Sequence, residues 1–256
     1  MLFELGYVPT PEPYQNRTNG GILLAHDGTK MSKSKGNVIN PDEKLDIVGA
    51  DALRLYINFI GPYEATVAWQ EGGLVACKRL VDSLFRTKEK VDKNLIATDK
   101  KVISTYHQML KKITEQMEDQ RTNVAVAEIM TFNNFLKELD AIPGDIWVGF
   151  LQVISPLAPH VTEELWYEYY GFDINDFTKS IHLSSWPKFD AELAKDDLVT
   201  IAVQVNGKVR GTFEFETDSS DNVVLEKAKE VVEKWLEGKE IKFSKVVKNK
   251  LVSIVV

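Results

Sequence analysis

Through residues 72–170 apolar side chains return every three or four positions: Leu80, Leu84 and Val91, then Val102, Tyr106, Met109 and Ile113, then Val126, Ile129, Met130, Phe132, Leu136 and Leu139. That interval puts them on one face of successive helices. Further helices are predicted at 146–154 and, after the Pro156 and Pro159 break, at 161–170. Helices of this kind bury their apolar stripes against one another, so the stretch reads as a helical bundle. Residues 171–197 are acidic and aromatic, without helical period, and read as a connection laid over that bundle.

At residue 198 the period changes to two. LVTIAVQVNGKVRGTFEFE alternates apolar and polar positions on both sides of Asn206-Gly207, a pair suited to the positive φ angles of a tight hairpin. A helix over 223–236 and the strands IKFSKVV and LVSIVV, on either side of Lys248-Asn249-Lys250, complete a β-β-α-β-β domain. At roughly sixty residues it is near the lower limit for an independent core.

The first residues are less regular, with three prolines, the turn-like Asn19-Gly20-Gly21 and one strand-like run at 22–25. Asn40, Pro41, Asp42 and Glu43 then fit an N-cap, a proline at the first helical position and acids where the helix dipole favours them. Gly49 is expected to end that helix and Asp51 to cap the next, which runs over 52–60 until Gly61-Pro62. The expected architecture is multidomain and mainly α. It divides into residues 1–71, residues 72–197 as a helical bundle with its connection, and residues 198–256 as a small α+β domain.

With 256 residues, 44% of them hydrophobic and 27% charged, the chain can build more than one core and is neither disordered nor fibrous. Its one cysteine, Cys77, excludes an internal disulfide, and no Cys/His grouping has metal-ligand spacing, so no metal site is expected. No apolar run approaches membrane-spanning length, and no basic leader precedes the first apolar residues. The expected compartment is the cytoplasm, with no membrane partner. A net charge of -7 argues at first against nucleic acid, but the charge is uneven: residues 78–112 hold ten Lys/Arg against four Asp/Glu, and residues 136–199 hold four against twelve. A basic face can therefore coexist with an acidic whole; ordinary solvated helix faces give the same counts.

The candidate chemistry lies in TKMSKSKGNVINPDE at 29–43. Lys30, Lys33 and Lys35 place three compact charges on flexible stems, suited to phosphate oxygens that move during reaction. Ser32 and Ser34 add hydroxyls, and Gly36 leaves the loop free to close. The arrangement suits a departing pyrophosphate; on these residues alone, a solvated basic loop fits as well. It is not a Walker loop, because G-x-x-x-x-G-K-[ST] is absent.

KMSKSKGNVINP, residues 30–41, resembles the second signature of class I aminoacyl-tRNA synthetases. The resemblance implies that Lys30, Met31, Ser32, Lys33 and Ser34 bind ATP. It also implies that Lys33 is catalytic, stabilising the transition state as an amino acid carboxylate displaces pyrophosphate, with Mg2+ accompanying the ATP. DALRLY at 51–56 and SPLAPHVTEELW at 155–166 resemble segments of the leucine, isoleucine and valine enzymes. They have structural readings too: Leu165 and Trp166 as core, Thr162-Glu163-Glu164 as a helix start, and His160 as a packed histidine.

VQVNGKVRG at 203–211, the following helix and the final LVSIVV resemble the C-terminal domain of bacterial leucyl-tRNA synthetases; AWQEGG at 68–73 and RTNVAVAEIM at 121–130 agree. The resemblance implies tRNA-Leu as partner, docked by the bundle and tail, and a residue 1–71 segment that ends the catalytic domain. Lys208 and Arg210, two apart on a strand, should project together, as should Lys248 and Lys250 where strand geometry persists. All four are candidate tRNA contacts, with protection of edge strands the alternative for the last two. The family's H-I-G-H signature, first half of the nucleotide-binding fold and editing domain all precede the lysine loop and are absent here. The expectation is a leucine-tRNA ligase fragment or subunit, inactive without its N-terminal half. Alternatives are a stand-alone RNA-binding module or part of a valine or isoleucine ligase.

Overall fold

The computed structural model describes residues 1–256 except 13, 15, 196, 197 and 218. The expected boundary at 197 lies outside the described residues. The chain forms two compact units, residues 1–97 with 108–189 and residues 98–107 with 190–256.

The first unit begins with β1 (Leu23–Leu24), α1 (Pro41–Val48), α2 (Ala50–Phe59) and β2 (Val67–Ala68). β1 and β2 pair in parallel, and the amide of Gly21 donates to the carbonyl of Tyr63 at 2.8 Å. A Cβ on Gly21 would stand 1.8 Å from the carbonyl oxygen of Ala65, so only glycine permits this approach. The unit continues through α3 (Glu71–Lys88), β3 (Val91–Asp92), α4 (Lys100–Glu118), α5 (Thr122–Glu138), β4 (Ile142–Pro143), α6 (Gly144–Ile154) and α7 (Pro159–Tyr170), where α4 contributes from residue 108 onward.

Helical periodicity becomes packing here. Leu74, Cys77, Leu80 and Leu84 of α3, Val126, Ile129, Phe132 and Leu136 of α5, and Trp147, Phe150 and Leu151 of α6 are all buried. Phe132 meets Phe150 edge to face at 5.1 Å; truncating such a ring to alanine costs about 3–5 kcal/mol. A buried polar chain ties α3 to α5: the Thr87 hydroxyl donates to Asn133 Oδ1 at 3.0 Å, and Asn133 Nδ2 donates to Ser83 Oγ at 2.8 Å. Burial pushes the Cys77 thiol up to about 12, so it is an inert core residue. The segment after α7 lies over the bundle, with Trp166 Nε1 donating to the carbonyl of Lys179 at 2.9 Å and Trp186 Nε1 to Thr114 Oγ1 at 2.9 Å.

The helix starts correct two expectations. Asp51 does not cap α2, whose N-cap is Gly49 at φ 83°. Its carboxylate is buried instead, accepting from the amide of Val161 at 2.6 Å and lying 2.8 Å from His160 Nδ1. His160 is therefore not packed; its side chain is 73% exposed. Nor do Thr162, Glu163 and Glu164 start a helix, since α7 begins at Pro159 with no acid in its first turn. The Thr162 hydroxyl donates back to the carbonyl of Ala158 at 2.9 Å. The acid that serves this N-terminus comes from α2.

The second unit holds β5 (Leu198–Val205), β6 (Lys208–Glu216), α8 (Asp221–Val231), α9 (Glu233–Leu236), β7 (Phe243–Val247) and β8 (Leu251–Val255). The sheet order is β6-β5-β8-β7, with β5 and β8 parallel and the other pairs antiparallel. Ile201, Val203, Val205, Val252 and Ile254 face Val224 and Ala228 of α8 and the buried Val232. Asn206 and Gly207 take φ of 50° and 78°, as the hairpin requires. The helix expected over 223–236 breaks at Val232, which leaves helical geometry at φ -113° and ψ 21° and is fully buried. The whole is mainly helical with one small sheet domain, as the sequence implies.

Candidate functional site

The lysine loop is built as a hairpin followed by a tight turn. After β1 the amide of Ala25 donates to the carbonyl of Thr29 at 2.9 Å, with Gly28 at φ 74°, and Lys30 bridges back to Leu24. Asp27 Oδ1 accepts both the amide and the hydroxyl of Thr29, at 2.9 and 2.8 Å. These bonds hold its carboxyl below the usual range, with the charge of Lys35 adding to them. Ser32 is extended, Lys33–Lys35 form a 3-10 turn, and Gly36 closes it in the left-handed region at φ 66°.

Asn37 fastens the two limbs together. Its Oδ1 accepts the amide of Ser32 at 2.9 Å, while its Nδ2 donates to Thr29 Oγ1 at 3.0 Å and to the carbonyl of Lys30 at 3.3 Å. Sequence reasoning did not single this residue out, although it lies inside the quoted signature and asparagine is suited to such local backbone bonds. Ser32 Oγ and Ser34 Oγ are 3.3 Å apart, while Lys30, Lys33 and Lys35 are exposed. Among the described residues no carboxylate lies within ion-pair distance of these three ammonium groups. Asn40 then caps α1, accepting the amide of Asp42 at 3.1 Å. The loop thus presents three cations and two hydroxyls on a fixed base, an arrangement that can bind phosphate oxygens.

A second cluster braces the elements beside the loop. Glu71 Oε1, in the first turn of α3, accepts from Lys44 Nζ of α1 at 2.5 Å and from Trp69 Nε1 at 3.0 Å, with His26 Nε2 at 3.8 Å. The Lys44 bond, ahead of the Trp69 bond, holds the Glu71 carboxyl below its usual range. Trp69 packs edge to face on Tyr56 at 4.7 Å, and the Tyr56 hydroxyl accepts the amide of Gln70 at 2.6 Å.

The structure separates the four tail residues. Lys208 and Arg210 lie on β6, at one edge of the sheet beside the Asn206-Gly207 turn. Lys248 and Lys250 lie in the turn between β7 and β8, at the opposite edge and toward the other end. They are turn residues around Asn249 at φ 56°, so the strand alternation expected to align them does not apply. The alternation linking Lys208 and Arg210 is interrupted too: Gln204 pairs with Val209 and Val203 with Gly211, leaving Arg210 as the extra residue of a β-bulge.

Residues 7–70 match the family described as tRNA synthetases class I (I, L, M and V), and residues 99–225 match the anticodon-binding domain of tRNA ligase. The chain therefore joins a class I tRNA synthetase segment to a tRNA-ligase anticodon-binding domain. It is similar to LeuRS of Agrobacterium radiobacter, solved in a ternary LeuRS-tRNA-LeuAMS complex, at TM-score 0.71 and 25% identity over 99% of this chain and 34% of that one. It thus spans about a third of that protein's length. Methionyl-tRNA synthetase of Mycobacterium tuberculosis, solved with methionyl-adenylate, aligns at TM-score 0.45 and 15% identity over 57% of this chain and 36% of that one.

Proposed function

We propose that the chain is the C-terminal part of a leucine-tRNA ligase. Residues 1–71 end the catalytic domain with the lysine loop and stem helices, 72–197 form the helical tRNA-binding domain, and 198–256 form a second tRNA-binding domain. The observation that carries the reading is a likeness to a leucine enzyme that extends over 99% of the chain, tail included.

In this proposal ATP is a substrate, held by Lys30, Met31, Ser32, Lys33 and Ser34, with magnesium arriving on its phosphates. Leucine's carboxylate attacks the α-phosphorus, and the bond to pyrophosphate breaks. Lys33 meets the charge that develops on the leaving phosphates. A preorganised cation stabilises a transition state most when it need not be reordered during reaction, and the Asn37 staple supplies that order. The preceding catalytic half, in the same polypeptide or a partner subunit, supplies the adenine and leucine sites. The partner is tRNA-Leu and the compartment the cytoplasm; among the described residues no helix is long and apolar enough to cross a membrane.

The test is charging of tRNA by the complete protein with leucine, valine and isoleucine in parallel. Leucine is expected to win by orders of magnitude, and the 256-residue chain alone is expected to give no ATP-pyrophosphate exchange. Preferential charging with valine or isoleucine, or exchange by the isolated chain, overturns the reading.

A further inference from the structure

In the tail, Trp235 is a large ring left outside the core. Its neighbours Val232 and Leu236 pack on the sheet, Val232 fully buried, whereas Trp235 is 43% exposed on the four-residue α9. Arg210 lies against it, its guanidinium carbon 3.8 Å from the ring centroid. As the extra residue of the bulge, Arg210 has no cross-strand partner in the β5–β6 register, and among the described residues no carboxylate is paired with it. Gly211 makes the approach possible: a Cβ there would stand 2.6 Å from Val231 Cγ1.

Two lysines are near the pair in sequence. Lys208 is exposed next to the hairpin turn, and Lys239 Nζ reaches the carbonyl of Trp235 at 3.4 Å. Glu233 and Glu237, two residues to either side of Trp235, are also exposed. An exposed aromatic, a guanidinium plane stacked on it and lysines beside it are the elements that bind a splayed nucleobase and its backbone.

We infer that Trp235 and Arg210 form a stacking platform for an exposed nucleobase of the RNA that docks on the tail. This rests on the tRNA-docking reading above. Stacking on the Trp235 ring is sequence-tolerant and nonionic, so the ring adds affinity without adding to the salt dependence, whereas Arg210 and Lys208 add to that dependence through their charge.

The test compares Trp235→Phe and Trp235→Leu in the 256-residue chain, measuring affinity for a tRNA-Leu transcript across a salt series. Trp235→Leu, which still covers the Arg210 stem, is expected to weaken binding about tenfold with an unchanged salt slope. Trp235→Phe is expected to stay near the parent, and Lys208→Ala to flatten the slope. Undiminished binding by Trp235→Leu while Lys208→Ala weakens it leaves the ring a structural cover and overturns the inference alone. Unchanged affinity on removing residues 198–256 overturns the docking reading beneath it. Fluorotryptophan labelling gives a readout that needs no destabilising variant: the Trp235 resonance, assigned by its loss in Trp235→Phe, is expected to shift on RNA addition. A resonance that does not move overturns the inference.

Discussion

The carboxylate of Asp51, 6% exposed, closes the N-terminus of a helix that begins 108 residues later at Pro159, accepting the amide of Val161 at 2.6 Å and facing His160 Nδ1 at 2.8 Å. Arg54 of the same helix donates to the carbonyl of Pro156 at 3.0 Å. Together they fix α2, which follows the loop-bearing segment, against α7 of the bundle. The buried carboxylate satisfies an otherwise orphaned donor and complements the helix dipole.

Asp51→Ala is expected to destabilise the chain by about 1–3 kcal/mol, because Val161 loses its partner inside the protein. His160→Ala, at an exposed ring, is expected to cost less than about 1 kcal/mol. Urea denaturation of the two variants checks this; equal losses refute the assigned order.

Lys33→Ala in the complete enzyme is expected to slow adenylate formation by about a hundredfold or more, with little change in the KM for leucine. Asn37→Ala removes three bonds of the loop yet no charge, and is expected to lower kcat about tenfold while the isolated chain keeps its thermal midpoint. Pyrophosphate exchange separates the cases. A rise in the KM for leucine alone would show Lys33 to have another role.

The Glu71 carboxyl is held below its ordinary 4.5, chiefly by Lys44. Its contribution is therefore present above that value and is lost as pH falls through the lower folded value. With both partners partly exposed, Glu71→Gln is expected to cost about 0.5–1 kcal/mol at neutral pH. That gap is expected to close as the solution is taken well below pH 4.5; a gap of constant size from pH 7 to pH 3 contradicts it.

The two basic pairs of the tail are proposed tRNA contacts at opposite edges of the sheet. Replacing Lys208 and Arg210 by alanine is expected to flatten the plot of log affinity against log salt by about 1 to 2 units, and replacing Lys248 and Lys250 to do so separately and additively. An unchanged slope for the second pair alone assigns those two lysines to edge protection.

Local patterns were legible because they rest on local chemistry. Asn40 accepts the amide of Asp42, Pro41 opens α1, and Asn206-Gly207 adopts the positive φ angles that the hairpin needs, all within a few residues of chain. The apolar faces of α3, α5 and α6 follow from the helical period, and Leu165 and Trp166 are buried as their type implies. The lysine-serine loop could be recognised because its residues are contiguous.

What the sequence by itself determined was the kind and order of the longer helices and strands; backbone preference and periodicity act over one to four turns and need no distant partner, whereas Val91, read there as part of a helical face, lies in the two-residue strand β3 beyond the end of α3. Tertiary structure decided the rest. Asp51 passed for a cap in the sequence because aspartate before a helix suits one, and only folding brought the amide of Val161 within reach. The four basic residues of the tail were alike as side chains, but strand order and a one-residue bulge sent them to different edges and laid Arg210 on Trp235. Such pairings depend on which surfaces meet, and no local rule of the chain encodes that.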